Sequence, residues 1–145
     1  MVLPNPNDDE MRALLERVRR IVVVGLSPKA DRDSNHVARY IQERGYEIVP
    51  VYPEGDTILG AKVYRRVRDV PGDVDLVDVF RKPEAIAETV DDVLGRTPRP
   101  PALWLQVGCV DEAAARRAID AGLTVVSDRC LMLEHAGLLG RTWRR

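Results

Sequence analysis

Five short polar segments, each following an apolar run, hold most of the residues suited to binding chemistry. The first, Gly25-Leu26-Ser27-Pro28-Lys29, continues to Arg32 and to Ser34-Asn35-His36. A glycine lets the backbone turn tightly and approach a ligand, and Ser27 adds a hydroxyl. A helix beginning near Ser34 would present free N–H groups and the positive end of its dipole. Lys29 and Arg32 add two cations, and a guanidinium grips an anion through paired bonds. Together these types suit a phosphate; the plainer alternative is a turn with solvated charges. The other segments are Pro50-Val51-Tyr52-Pro53, Phe80-Arg81-Lys82-Pro83, Gln106-Val107-Gly108-Cys109 and Ser127-Asp128-Arg129-Cys130. His36 and His135 are the only histidines, and Cys109 and Cys130 the only cysteines, at spacings that match no zinc motif. No metal site and no catalytic group is expected.

The elements that must position these segments follow from periodicity. Residues 7–19 read as a helix with Asn7 or Asp8 as its N-cap, and Met11, Leu14, Leu15 and Val18 recur at helical spacing. Residues 21–24 are an unbroken β-branched run, the habit of a strand buried on both faces. A helix is predicted over 35–44, capped by Ser34 and stopped by Gly45. Further strands are predicted at 46–51, 74–80, 102–107 and 123–126, with helices at 83–94 and 111–121. Residues 60–70 read as a short edge strand or a turn of helix. This alternation predicts one domain over 1–145, an α/β doubly wound Rossmann-like parallel sheet of five strands with helices on both faces. In such sheets ligands sit beyond the carboxyl ends of the strands, where strand order reverses.

Bulk composition narrows the function. The chain has 145 residues, 45% of them hydrophobic and 31% charged, ordinary for a globular domain. A net charge of -1 gives no reason to expect a nucleic-acid or anionic membrane surface as partner. Arginine dominates the cations, since Lys29, Lys62 and Lys82 are the only lysines among 22 basic residues. No apolar stretch reaches about 18 residues, the start is polar, and a cytoplasmic protein is expected.

The dinucleotide fingerprint is broken. From Gly25 the second and third glycines of G-x-G-x-x-G are missing, and strand two ends in Val51-Tyr52-Pro53 without the expected acid. An NAD(P)-dependent enzyme, with Lys29 and Arg32 on a 2′-phosphate, is therefore the weaker alternative. In contrast, residues 21–29, 45–53, 74–83, 103–108 and 126–135 together resemble the stand-alone CoA-binding domain family. Its fold is shared by the N-terminal domain of succinyl-CoA synthetase alpha subunits.

The resemblance implies coenzyme A, possibly as acyl-CoA, as the ligand. Gly25, Ser27, Pro28, Lys29, Arg32, Ser34 and Asn35 would face its phosphates, with His36 a further candidate. Pro50, Tyr52 and Pro53 would border the adenosine end, Phe80, Arg81 and Pro83 the middle of the cleft, and Gln106 and Gly108 the pantetheine arm. Acyl-CoA-forming relatives carry their phosphorylated histidine in an additional domain, so a binder rather than an enzyme is implied. A homodimer, or docking to a larger ligase-like partner that borrows the site, stays open.

Several residues carry bland and sharp readings together. Cys109 is expected to be buried and inert, the sharper reading being a mixed disulfide with the ligand's thiol. Arg65, Arg66 and Arg68 read as a solvated run or a contact to the CoA 3′-phosphate. Asp75 and Asp78, in a buried strand, must find a partner or an exposed face. Asp128 is expected to cap the next helix, Arg129 to pair with an acid, His135 to be structural, and Trp104 to fill the core. The tail over 140–145 is expected to cover the cleft, meet another subunit or lie loose. Gly25→Val is expected to block the phosphate path and spare the fold.

Overall fold

Runs of valine and isoleucine set the frame. The structure is a computed structural model describing residues 4–141 and 143. Five strands form one parallel sheet: β1 (Arg20–Val24), β2 (Glu47–Val51), β5 (Leu76–Val79), β6 (Ala102–Leu105) and β7 (Thr124–Ser127), in the order β2-β1-β5-β6-β7. Every residue of β5 and β6 is buried, as expected for a parallel sheet covered on both sides. Between β2 and β5 lies the stretch that was ambiguous from sequence. It is a two-stranded antiparallel hairpin of β3 (Thr57–Ile58) and β4 (Ala61–Lys62), then a 3-10 turn over Val67–Asp69. Tyr64 bridges back to Val51 and widens the β2 edge by one pair.

Five helices cover the sheet: α1 (Asp8–Arg17), α2 (Asp33–Glu43), α3 (Ile86–Leu94), α4 (Glu112–Asp120) and α5 (Leu131–Leu138). Strand alternation sends Ile21, Val23, Leu76 and Trp104 to one face, where they pack with Met11, Leu14 and Leu15 of α1, Ile41 of α2 and Leu131 of α5. Val22, Val24, Val77, Val79, Leu103 and Leu105 point the other way, against Ile86, Val90 and Val93 of α3 and the alanines of α4. Trp104 is fully buried as expected, and its indole N–H donates to Arg129 O at 2.9 Å.

Local signals explain the helix ends, with one correction. Asn7 caps α1 in a full capping box with Glu10. For α2 the N-cap is Arg32, without a side-chain bond, and Ser34 lies inside the first turn. The helix starts earlier because Ser34 is recruited elsewhere, as described below. Gly45 follows α2 with φ of 90°, the left-handed stop that glycine accommodates at little cost.

The chain steps outward from β1 to β2, then crosses back to β5 on the far side of β1. Strand order therefore reverses between β1 and β5. Their carboxyl ends, Gly25 and Phe80, mark the switch point where a crevice is expected.

Candidate functional site

A crevice opens there. A cleft of about 720 Å³ is lined by Val24, Gly25, Arg32, Val51, Tyr52, Pro53, Arg65, Phe80, Arg81, Lys82, Glu84 and Ala85. It shares Gly25, Arg32, Tyr52 and Phe80 with an adjoining hollow of about 410 Å³ over Ser27, Lys29, Asp33 and Ser34. Phe80 also forms a wall of a smaller cavity of about 290 Å³, with Asp33, His36, Val37, Gln106, Val107, Cys130 and Met132. Three connected hollows thus meet at one aromatic ring.

The loop after β1 is held from within. Ser34 Oγ accepts from Ser27 N at 3.0 Å, Ser27 Oγ accepts from Lys29 N at 3.1 Å, and Asn35 Nδ2 donates to Ser27 O at 2.9 Å. Asn35 Oδ1 in turn accepts from Arg39 Nε at 2.9 Å. Asn35 is 2% exposed, so its side chain does not face a ligand; it clamps the loop. The Ser34 hydroxyl does the same while lining the hollow. Both belong to the support of the anion loop rather than to its surface. The first turn of α2 begins just beyond this loop, where helix N–H groups have no intrahelical acceptor.

Gly25 has a different reason to be glycine than sequence suggests. Its φ is 81°, and an added Cβ would lie 2.1 Å from Phe80 O. The constraint comes from the neighbouring strand end, so Gly25→Val would disturb the β1–β5 junction as well as the crevice. The expectation that it spares the fold is overturned.

The cations around the crevice divide into tied and free. Arg81 Nη2 meets Glu88 at 3.0 Å, and Arg65 donates to Tyr52 O and Gly55 O. Arg66 and Arg68 leave the crevice to pair with Asp92, leaving Arg65 at its rim. Among the described residues, the side chains of Lys29, Arg32 and Lys82 meet no acid. Three cations unpaired among the described residues stand beside the open crevice, against Glu84 in the main cleft and Asp33 in the adjoining hollow, a balance that favours an anion. From sequence Arg65 reads, with Arg66 and Arg68, as a solvated run or a 3′-phosphate contact, and Lys82 is not singled out as a site residue. The position of Lys82 beside Arg81 is the hint of it.

The remaining sequence candidates are placed as follows. Tyr52, Pro53, Phe80 and Arg81 line the main cleft. Pro50 lies within β2 and is buried, its carbonyl accepting from Tyr64 N, so it borders no ligand space. Pro28 and Pro83 are exposed beside the hollows without lining them. Exposed His36 lines the smaller cavity. Gln106 lines it too, at 5% exposure, with Oε1 committed to Leu131 N at 3.1 Å. Gly108 N donates to Asp128 Oδ1 at 2.9 Å, so Asp128 ties two loops together. It does not cap α5, whose N-cap is Cys130. Arg129 pairs with Glu134 at 3.2 Å, as expected.

Buried ionisable groups lie mostly away from the crevice. Asp75 caps backbone N–H groups of Arg19 and Arg20. Asp78 is 1% exposed, its Oδ1 has no partner among the described residues, and burial holds its carboxyl well above the usual carboxylate range. His135 is fully buried, with Nδ1 3.1 Å from Tyr40 Oη, and burial, then the charge of Arg44, lowers it to about 4. The Trp143 ring rests 5.5 Å from His135 and 5.9 Å from Tyr46, so this part of the tail packs there rather than over the cleft. Thr142, Arg144 and Arg145 lie outside the described residues. Cys109 is 8% exposed in the α3–α4 cluster, and burial raises its thiol.

A further cavity of about 260 Å³, at the carboxyl end of β7, is lined by Asp111, Glu112 and Asp128 with Arg129, which is already paired with Glu134, so acids predominate there. Among the described residues, no group of three or more His, Cys, Asp or Glu is placed to hold a metal, and no helix is long and apolar enough to cross a membrane.

Comparison with known proteins agrees with this geometry. The family described as "CoA binding domain" matches residues 19–136. The chain is 37% identical over 134 residues to Uncharacterized protein YneT of Bacillus subtilis (strain 168), covering 92% of this chain and 98% of that protein. It is similar to the structure of a hypothetical protein from Pyrococcus horikoshii OT3, at 37% identity and a TM-score of 0.88, over 97% of this chain and 100% of that one. Cell-free ID.343 from Thermus thermophilus is likewise 37% identical, with a TM-score of 0.87, over 92% of this chain and 100% of that one.

Proposed function

This chain belongs to the CoA-binding domain family, and from that premise we propose that it is a binder of coenzyme A, free or acylated, with no catalytic residue of its own. The observation that carries the reading is the crevice at the β1–β5 switch point, walled by Tyr52 and Phe80 and edged by Lys29, Arg32 and Lys82. A ligand with several phosphates satisfies those cations; a neutral metabolite does not.

In this reading the diphosphate lies over the Ser27–Arg32 loop and the start of α2. Helix N–H groups and two mobile cations receive it there without side chains in the way. The adenosine end occupies the main cleft between Tyr52, Pro53 and the Arg81–Lys82 turn, with Arg65 at the rim for a ribose phosphate. The pantetheine arm passes Phe80 toward the smaller cavity. Ser34 and Asn35 act as positioning residues, holding the loop in its receptive shape before ligand arrives and so lowering the ordering cost of binding.

Isothermal titration with CoA at near-physiological salt tests the reading. Saturable binding is expected, weakened by added salt because the contacts are largely ionic. Absence of heat at about hundred-micromolar ligand, an affinity of roughly −5 kcal/mol or worse, overturns it. NADPH in the same cell separates the nucleotide classes: tighter binding than CoA reverses the assignment.

A further inference from the structure

The smaller cavity beyond Phe80 holds two features that the binding of phosphates leaves unused. One is Cys130, a free, half-buried thiol on its wall. The other is the amide of Gln106. Leu131 N–H fixes which end of that amide is which, because only the oxygen can accept its bond. The NH2 end meets no protein acceptor among the described residues, and Gln106 lines the cavity wall. A residue 95% buried, with two donors unmet in a hollow lined by Val37, Phe80, Val107 and Met132 together with Asp33 and His36, neither of which bonds it, calls for an acceptor on the ligand. Cys130 and Leu131 are consecutive, so donor and thiol stand at the same end of α5.

Resting on the CoA reading above, we infer that this cavity receives the sulfur end of the coenzyme, Gln106 donating to a carbonyl of its arm and Cys130 capturing its sulfur as a mixed disulfide. The co-reactant is a disulfide of CoA. The Cys130 thiol loses its proton to solvent, and the thiolate attacks the CoA sulfur. The new Cys130–S–S–CoA bond forms as the old S–S bond breaks, and the departing thiolate takes up a proton. No external electron donor or acceptor is needed, and any thiol in excess reverses the step. Cys109 is buried in the α3–α4 cluster, as the plainer reading of the sequence expected, and the sharper reading of a mixed disulfide passes to Cys130. The protein thereby becomes a carrier whose grip on CoA tightens when the coenzyme is oxidised.

Intact-mass measurement of the full chain with CoA disulfide, without reductant, is the test. Wild type and Cys109→Ser are expected to gain one CoA, removed by dithiothreitol, and Cys130→Ser none. Capture by CoA disulfide is expected to outpace capture by oxidised glutathione by about tenfold or more, since binding places the sulfur beside the thiol. Equal rates for the two disulfides, or an adduct on Cys130→Ser, overturn the inference. Gln106→Glu keeps the acceptor for Leu131 N–H and removes the donors; about fivefold slower capture is expected, and an unchanged rate removes Gln106 from the proposal. Titration of Cys130→Ser with reduced CoA separates the two levels. Binding there without capture by wild type sinks the disulfide alone, while no binding sinks the CoA reading with it.

Discussion

The two faces of the central sheet are built from different materials. Under α3 and α4 the buried side chains are valine, leucine, isoleucine and alanine with Cys109. The polar groups on that side serve the backbone, Thr89 bonding Ala85 O and Arg96 reaching the carbonyls of Val70, Gly72 and Pro98, although Arg96 Nε is left without a partner among the described residues. Under α1, α2 and α5 the apolar cluster is interrupted by Asp78, His135, Ser34, Asn35 and Gln106, and Asp78 Oδ1 and His135 Nε2 have no partner. The loop clamps and the wall of the smaller cavity rise from this second face. One face is almost wholly apolar, while the other mixes the apolar core with buried polar side chains, of which Ser34 and Gln106 border the hollows.

Gly25 is where frame and site meet, and its replacement has the largest expected effect. In Gly25→Val the new Cβ strikes Phe80 O, and a β-branched residue must hold a positive φ. A loss of more than about 4 kcal/mol in urea unfolding is expected, together with loss of CoA binding. A variant of near-normal stability shows that the β1–β5 junction relaxes cheaply and that the strand contact is not what demands glycine.

Leu103→Ala sharpens the contrast from the apolar side. Leu103 is fully buried on the α3–α4 face, so a loss of about 2–5 kcal/mol is expected. CoA affinity of the folded fraction should be unchanged, because Leu103 lines no part of the crevice, to which that cluster contributes Val24 and Val51. Titration calorimetry below the unfolding range checks it, and a weakened Kd would show that the faces are coupled.

Asp78 tests the cost on the other face through pH. Burial raises its carboxyl well above the usual carboxylate range in the fold, whereas an unfolded aspartate ionises near about 3.9. The folded state therefore binds more protons above that value, and stability falls as pH rises toward the folded value. The slope is about 1.4 kcal/mol per pH unit. Relative to Asp78→Asn, which cannot ionise, wild type should be closest in stability near about pH 4 and progressively weaker as pH rises above it. His135, lowered to about 4, works oppositely by destabilising on acidification, but it is common to both proteins and cancels. A difference that stays constant with pH means that Asp78 is charged in the fold.

The sequence made the frame readable because the frame rests on short-range chemistry. The run Ile21–Val24 announces a two-face-buried strand, and Gly45 and Asn7 announce helix ends that the structure reproduces. The stretch 60–70 was ambiguous because a two-residue strand pair and a 3-10 turn are too short to show a period. At the crevice, Gly25, Ser27, Lys29, Arg32, Tyr52, Pro53, Phe80 and Arg81 were legible as strand ends. What sequence could not resolve is direction. Asn35 and Gln106 have the same polar types whether they point at a ligand or at a neighbouring loop, and only the fold turns Asn35 to Ser27 and half of Gln106 to Leu131. Asn5 was silent for the same reason: it extends the β7 edge by exchanging two bonds with Ser127, 122 residues away.

Arg32 isolates the site from the frame and has the smallest expected effect. Its side chain is exposed, meets no acid among the described residues and borders both larger hollows. Replacing it removes a charge-assisted contact to ligand and no internal bond, so Arg32→Ala should leave unfolding unchanged within about 0.5 kcal/mol. CoA affinity should fall about tenfold, the order expected of a hydrogen bond to a charged group. The salt dependence decides between contact and field. If Arg32 binds phosphate, the difference from wild type narrows as salt rises, because the lost attraction is screened over about a Debye length. An affinity loss that salt does not touch would mean that Arg32 acts by packing, and the anion loop would then rest on Lys29 and helix N–H groups alone.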